Sequence, residues 1–318
     1  MCNFLKNLFG GNKSSSNISF DPFPWSMYGQ NVHHQINIDQ ARRLLRYNGP
    51  WIRLNVWTSE IVEDNWSIKN NINSILNAAS KEGITPNLTF VLSGTDDRPE
   101  VQNSQNHLTP NLNIEDLSNR YYNCANKFAK ELNNMNLHNV IIESWNEPDH
   151  EVYGKGIPGN FGSNEWKENL AKMNNKFAEG VKDGSGNIFT AFCSFMSMNN
   201  SKFDVCSDVW RMSHSGFDYF NVHMYDDSPN EILNWSKKMK EVIVDRPVII
   251  TEHGYQNNTK NITLYRQQAY AFKDAFGDLL KGVMGYVAYS DHHPWVVDFD
   301  GMENMSWEIT HNDKPNKI

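Results

Sequence analysis

Short apolar runs alternate with amphipathic segments eight times along the 318 residues, and that alternation predicts a single-domain (β/α)8 TIM barrel. Two further observations point the same way. The runs are near-continuously apolar, as expected of parallel strands covered on both faces. The length suits one α/β barrel of about 250 residues plus insertions, with no second domain required. Hydrophobic residues make up 39% and charged residues 21% of the chain, enough for a large core. No tandem repeat is visible, which excludes a solenoid.

Residues 1–17, rich in Gly, Ser and Asn, read as a flexible arm, and 18–318 as the barrel. Strand one lies within 23–33 and is followed by a helix near IDQARRLLRY. Strand two is WIRLNVW, 51–57. Helix two carries Ile68, Ile72, Ile75 and Ala79 on one face and stops at Gly83, a residue suited to a left-handed helix end. Strand three is 85–93, and a polar loop spans 94–112. The next helix aligns Ile114, Leu117, Tyr121, Phe128 and Leu132. Strand four is 140–145, and a Gly-rich loop leads to a helix around 164–182. Strands five and six are IFTAFCSF and FDYFNVHMY, and a helix follows near 230–243. Strand seven is 247–254, helix seven aligns Tyr265, Ala269, Phe272 and Phe276, and strand eight is 282–290. The last helix is short or replaced by the tail 300–318.

The net charge of −8, with no block of Lys and Arg, argues against nucleic acid or an anionic membrane as a partner. The four cysteines form no C-x-x-C pair and read as buried thiols rather than a zinc cluster or a disulfide frame. The apolar start is broken by Lys6 and Asn7, too short for a secretory segment, and no run approaches a membrane span. As written, the chain reads as a soluble monomer, cytoplasmic unless released or processed. His33, His34, His292 and His293 lie in adjacent pairs that point opposite ways on an extended chain, so no metal site is expected. No Gly-rich phosphate loop follows a strand, and no cofactor is expected.

Two carboxylates stand at predicted strand ends: Glu147 in ESWNEPD after strand four and Glu252 in ITEHG after strand seven. In a barrel these ends face each other across the C-terminal mouth, where barrel sites are built. Two carboxylates across a cleft are the minimum apparatus for glycoside hydrolysis: one protonated to donate, one ionised to attack. His223 and Tyr225, two apart on strand six, share one face and could hold Glu252; packing against the helices is the alternative. Arg53 could favour the charged form of Glu252 or pair inside the barrel with Glu143. Trp25, Trp57, Trp145 and Trp295, near predicted strand ends, are candidate sugar platforms.

The motifs resemble those of clan A glycoside hydrolases. ESWNEPD resembles the clan's strand-four signature, ITEHG its strand-seven nucleophile motif, FNVHMY its strand-six H-x-Y, and Arg53 in WIRLN its strand-two arginine, all in the clan's order between about 51 and 290. The E-x-W-N-E-P form and the strand-eight YSD are closest in style to family 39 and its neighbours. The resemblance implies a retaining β-glycosidase that cleaves a polysaccharide or oligosaccharide, with Glu147 as acid/base, Glu252 as nucleophile and Asn146 on the sugar 2-hydroxyl. Many members carry a Trp on strand eight; this chain has Tyr289 there and Trp295 six positions later. A transglycosylase using the same residues and a non-catalytic carbohydrate-binding barrel are the alternatives; a mere binding module has no need of both carboxylates.

Overall fold

The computed structural model describes residues 23–32, 35–56, 60–61, 66–92, 113–150, 154, 157–196, 198, 200–225, 228–254 and 262–286. The arm 1–17, the loop 94–112, the tail 300–318 and the four histidines considered as metal ligands lie outside the described residues.

Eight parallel strands form one sheet: β1 (Tyr28–Val32), β2 (Trp51–Asn55), β3 (Asn87–Val91), β4 (Ile141–Glu143), β5 (Phe189–Ala191), β6 (Phe220–Tyr225), β7 (Val248–Gly254) and β8 (Leu280–Gly285). β1 pairs with both β2 and β8, and the parallel bridges Ala191–Tyr219 and Phe195–Val222 bring β5 to β6, so the sheet closes on itself. The helices α1 (Ile38–Arg43), α2 (Ile68–Glu82), α3 (Ile114–Asn134), α4 (Asn164–Gly184), α5 (Asn200–Ser213), α6 (Pro229–Ile243) and α7 (Ile262–Phe276) follow the first seven strands in turn. The chain is thus a (β/α)8 TIM barrel. The segment that forms α5 is one for which the sequence reading names no helix, and β8 begins two residues earlier than expected.

Local sequence sets the helix ends. Asn37 with Gln40, and Ser228 with Glu231, form reciprocal capping boxes at the starts of α1 and α6. Gly83 ends α2 with φ 66°, the left-handed turn expected of a glycine there. Among the described residues, no helix is long and apolar enough to cross a membrane. Cys193 and Cys206 are buried thiols.

Side chains fill the barrel interior in tiers. Trp51, Ile141, Ala191, Ile249 and Met284 form an apolar cluster apart from the main core between strands and helices. The Trp51 indole needs a glycine beside it, since a Cβ on Gly282 would stand 2.6 Å from the ring, and the Trp51 backbone needs another, since a Cβ on Gly29 would stand 1.9 Å from its carbonyl oxygen. Two residues further along their strands, on the same face, come Arg53, Glu143 and Thr251, all buried. The apolar tier therefore supports a charged one directly above it.

Candidate active site

The charged tier is organised by Arg53. Its Nε donates to Glu143 Oε1 at 2.8 Å and a terminal nitrogen donates to Glu143 Oε2 at 3.1 Å, a two-pronged pair at almost no exposure. The same side chain reaches Asn31 Oδ1 at 3.0 Å, Asn146 Oδ1 at 2.8 Å and Glu252 Oε1. Asn31 in turn donates to the carbonyls of Thr251 at 2.8 Å and Gly285 at 3.3 Å, tying β1 to β7 and β8. Both readings of Arg53 hold together: it pairs with Glu143 and with Glu252. Burial works against its charge, and Glu143 and Glu252 outweigh that, holding the guanidinium protonated.

Glu147 lies one turn beyond β4 with φ 48°, a left-handed backbone that a non-glycine residue rarely adopts and that strains the chain. The strain is held from several sides. The Glu147 amide donates to the Ser194 carbonyl at 2.8 Å, and the Met196 amide donates to Asp149 Oδ1 at 2.7 Å. Lys202 on α5 pairs with Asp149 Oδ2 at 2.9 Å. Gly154 packs so closely that a Cβ there would stand 2.1 Å from the Pro148 carbonyl. Pro148 fixes its own φ, so the turn that aims Glu147 is rigid at both ends.

Glu252 ends the polar face of β7. It accepts from Arg53 and from the Tyr225 hydroxyl. His223 stands between the two acids: Nδ1 lies 2.9 Å from Glu147 Oε1 and Nε2 lies 3.6 Å from Glu252 Oε1. Of the two strand-six residues expected at Glu252, Tyr225 touches it, while the His223 ring nitrogens form their hydrogen bonds with Glu147 Oε1, at 2.9 Å, and with Thr251 Oγ1, at 3.1 Å. Burial, the Glu252 charge and Asp149 push Glu147 well above the usual carboxylate range, against Arg53 and Lys202. Burial also raises Glu252, but Arg53 and the Tyr225 hydroxyl oppose it, so the lift is smaller. Burial and the nearby Arg53 hold His223 well below its ordinary value, hence neutral. The Tyr225 hydroxyl is pushed up by burial and by both acids, and stays a donor.

Glu147, His223 and Glu252 bring one ligand atom each within 4.8 Å of one another, the spacing a metal ion would require. Arg53 already places a fixed cation on Glu252, and both His223 nitrogens have protein partners. These donors are committed to one another, as suits acid/base work rather than ligation.

The sequence reading missed Asn31, Asn221, Thr251, Asp149 and Lys202 as site residues. Asn221 sits two before His223 on β6, so strand parity was the available signal. Two of the proposed sugar platforms are corrected. Trp145 is 1% exposed and packs edge-on against Tyr121 of α3. The two-residue strand period ends at Glu143, and the chain then turns the indole into the helix layer. Trp25 precedes β1, at the opposite end of the barrel from Glu147, and its Nε1 donates to the Arg46 carbonyl at 3.2 Å. Trp57, Tyr289 and Trp295 lie outside the described residues.

The site is thus an eight-stranded barrel that carries two buried carboxylates at the C-terminal ends of β4 and β7. Residues 96–290, more than half of the chain, match the family model described as the glycosyl hydrolase catalytic core, and the chain belongs to that family. Its substrate class is therefore carbohydrate. No curated protein sequence matches the chain. Among solved structures, a family 5 xyloglucanase from Paenibacillus pabuli superposes with a TM-score of 0.61 at 14% identity, over 90% of this chain and 99% of that one. A family 39 glycoside hydrolase from Bacteroides cellulosilyticus WH2 gives 0.58 at 15% identity, over 90% of this chain and 63% of that longer one. A beta-glucosidase from Thermotoga maritima gives 0.59 at 12% identity, over 88% and 92%. At these identities the likeness is one of fold.

Proposed function

We propose that the protein is a retaining β-glycosidase acting on a polysaccharide or oligosaccharide by double displacement, with Glu147 as acid/base and Glu252 as nucleophile. The observation that carries this reading is the contact of both acids with one imidazole, which leaves a Glu147 and a Glu252 oxygen within 4.8 Å of each other. Retaining enzymes hold their carboxyl groups about 5–5.5 Å apart, whereas inverting enzymes leave about 6.5–9.5 Å for a water.

The unequal environments support the division of labour. Glu252, held by Arg53 and Tyr225, is the acid favoured to ionise and attack the anomeric carbon. Glu147, without a cation in contact, is the one favoured to keep a proton for the leaving oxygen. In the second step Glu147 removes a proton from water, and the resulting hydroxyl displaces Glu252 from the sugar. Asn146, whose side-chain oxygen accepts from Arg53 at 2.8 Å, is the proposed contact of the sugar 2-hydroxyl. Arg53, His223 and Tyr225 orient the pair; Trp57, Tyr289 and Trp295 are proposed as sugar contacts from sequence position alone.

The test is hydrolysis of a panel of 4-nitrophenyl β-glycosides and dyed β-linked polysaccharides, followed by an NMR time course on the best substrate. A first-formed β-anomer is expected. A first-formed α-anomer would refute retention, and inactivity on every panel member together with saturable oligosaccharide binding would favour a binding barrel.

A further inference from the structure

The hydrogen bonds beneath the two acids can be directed one donor at a time, and the direction ends at Glu147. Glu143, gripped by two nitrogens of the Arg53 guanidinium, is a carboxylate that only accepts. Asn221 therefore turns its amide nitrogen to Glu143 Oε2, at 2.8 Å, which leaves its carbonyl oxygen for Thr251. The Thr251 hydroxyl lies 2.7 Å from Asn221 Oδ1 and 3.3 Å from Glu143 Oε2. Both are acceptors, so the single hydroxyl hydrogen is used on that side whichever it faces. Toward His223 Nε2, at 3.1 Å, Thr251 can only accept, and His223 must carry its hydrogen on Nε2. A neutral imidazole has one N–H, so Nδ1 offers a lone pair to Glu147 Oε1 at 2.9 Å. A hydrogen bond forms there only if Glu147 supplies the hydrogen.

We propose that Glu143, Asn221 and Thr251 are positioning residues that fix the Nε2–H tautomer of His223 and thereby hold Glu147 in its protonated form before substrate binds. The proposal rests on the reading of Glu147 as the acid. It explains the return step as well. When the Glu147 proton passes to the glycosidic oxygen as the sugar–oxygen bond breaks and the bond to Glu252 forms, the new carboxylate faces a lone pair. It regains a proton from the water whose hydroxyl displaces Glu252, and the starting state is restored.

The surrounding charges favour the same state. His223 faces Glu147 and Glu252, with Arg53 and Tyr225 beside it. Arg53 disfavours an imidazolium. Glu147 faces Glu252 from β7, Asp149 on its own turn, Arg53 from β2 and Lys202 from α5. Burial and the two acids oppose its ionisation more strongly than Arg53 and Lys202 promote it.

Nitrogen NMR of the full chain labelled with 15N-histidine reads the tautomer directly, with His223→Gln to identify its signals. A neutral His223 with the hydrogen on Nε2 is expected from about pH 5 to pH 8. Thr251→Val, close in shape, removes the acceptor, and a Nδ1–H population should then appear. The upper limb of the kcat/KM–pH profile on the best β-linked oligosaccharide, whose sugar leaving group needs the proton, should move down by about one unit, a tenfold change in proton affinity. Thr251→Ser should restore both. A wild-type His223 that is doubly protonated, or carries its hydrogen on Nδ1, overturns the proposal even if Thr251→Val does not fold. So does a Thr251→Val variant with wild-type tautomer and limb. Glu147→Gln separates the two levels: an upper limb that survives in that variant removes Glu147 as the acid, whereas a limb lost there but unmoved in Thr251→Val removes only the tautomer proposal.

Discussion

Arg53 on β2 and Glu252 on β7 are in direct contact across the barrel, and the same guanidinium holds Glu143 beneath them. One cation thus pairs with a supporting acid and the proposed nucleophile together. Arg53→Met should leave two buried carboxylates without their cation and destabilise the fold by about 3–5 kcal/mol. Arg53→Lys keeps the charge but loses the planar fork, so it should fold better than the Met variant while losing most activity. Urea unfolding and kcat of the three proteins check this; a Met variant as stable as wild type would contradict it.

The two acids should fail in different ways. Glu252→Ala should abolish turnover of every substrate. Glu147→Ala should spare the first step on an activated aryl glycoside, which departs without a proton, and nearly stop cleavage of a natural sugar linkage. Added azide should release a β-azide from the Glu147 variant and an α-azide from the Glu252 variant. Product NMR reads the anomers, and swapped anomers would reverse the two roles.

Stability should depend on pH through Glu147. Its pKa is raised in the fold above the ordinary 4.5. Below the unfolded value both states are protonated and the side chain carries no penalty. As pH rises through the window between the unfolded and folded values, the unfolded chain loses its proton first and the fold loses stability. Glu147→Gln, permanently neutral, should therefore match wild type near pH 4 and exceed it at pH 8, by about 1.4 kcal/mol for each pH unit of the window. Thermal melts at the two pH values measure the difference, and an equal offset at both would rule out titration as its source.

The strained turn gives a further test. Asp149 ties the Glu147 turn to the Met196 amide and to Lys202. Asp149→Ala should free that turn and lower kcat about 10- to 100-fold, as expected of a small misplacement of a reacting group. Natural substrates should suffer more than activated ones, because the misplaced group is the proton donor. A variant that loses equal activity on both substrate classes would point instead to general damage at the site.

Much of this arrangement was legible in the sequence because strand ends announce themselves. Glu147 and Glu252 follow apolar runs long enough to be strands, parity put His223 and Tyr225 on one shared face and Glu143 in line with Glu147, and Arg53 was placed near the nucleophile by resemblance. Parity names a face and not a partner. His223 was therefore expected at Glu252, although the two acids converge so closely that the imidazole reaches both and hydrogen-bonds Glu147. Asn221 and Thr251 are single polar residues inside apolar runs, and their role emerges only when three strands are laid side by side. Trp145 was misplaced because the strand ends at Glu143 and its alternation ends with it. The apolar positions of α5, among them Phe203, Cys206, Val209 and Trp210, recur at helical spacing, so that helix was readable and was passed over.

The cluster of Trp51, Ile141, Ala191, Ile249 and Met284 does more than fill space. It occupies the barrel interior directly beneath Arg53, Glu143 and Thr251, so the charged tier stands on a dry, packed floor. Hollowing that floor, as Trp51→Ala would, opens a back door that admits bulk solvent to the underside of Arg53 and Glu143. The chemistry at the mouth would then leak through the opposite end of the molecule, though no residue that touches sugar had been altered.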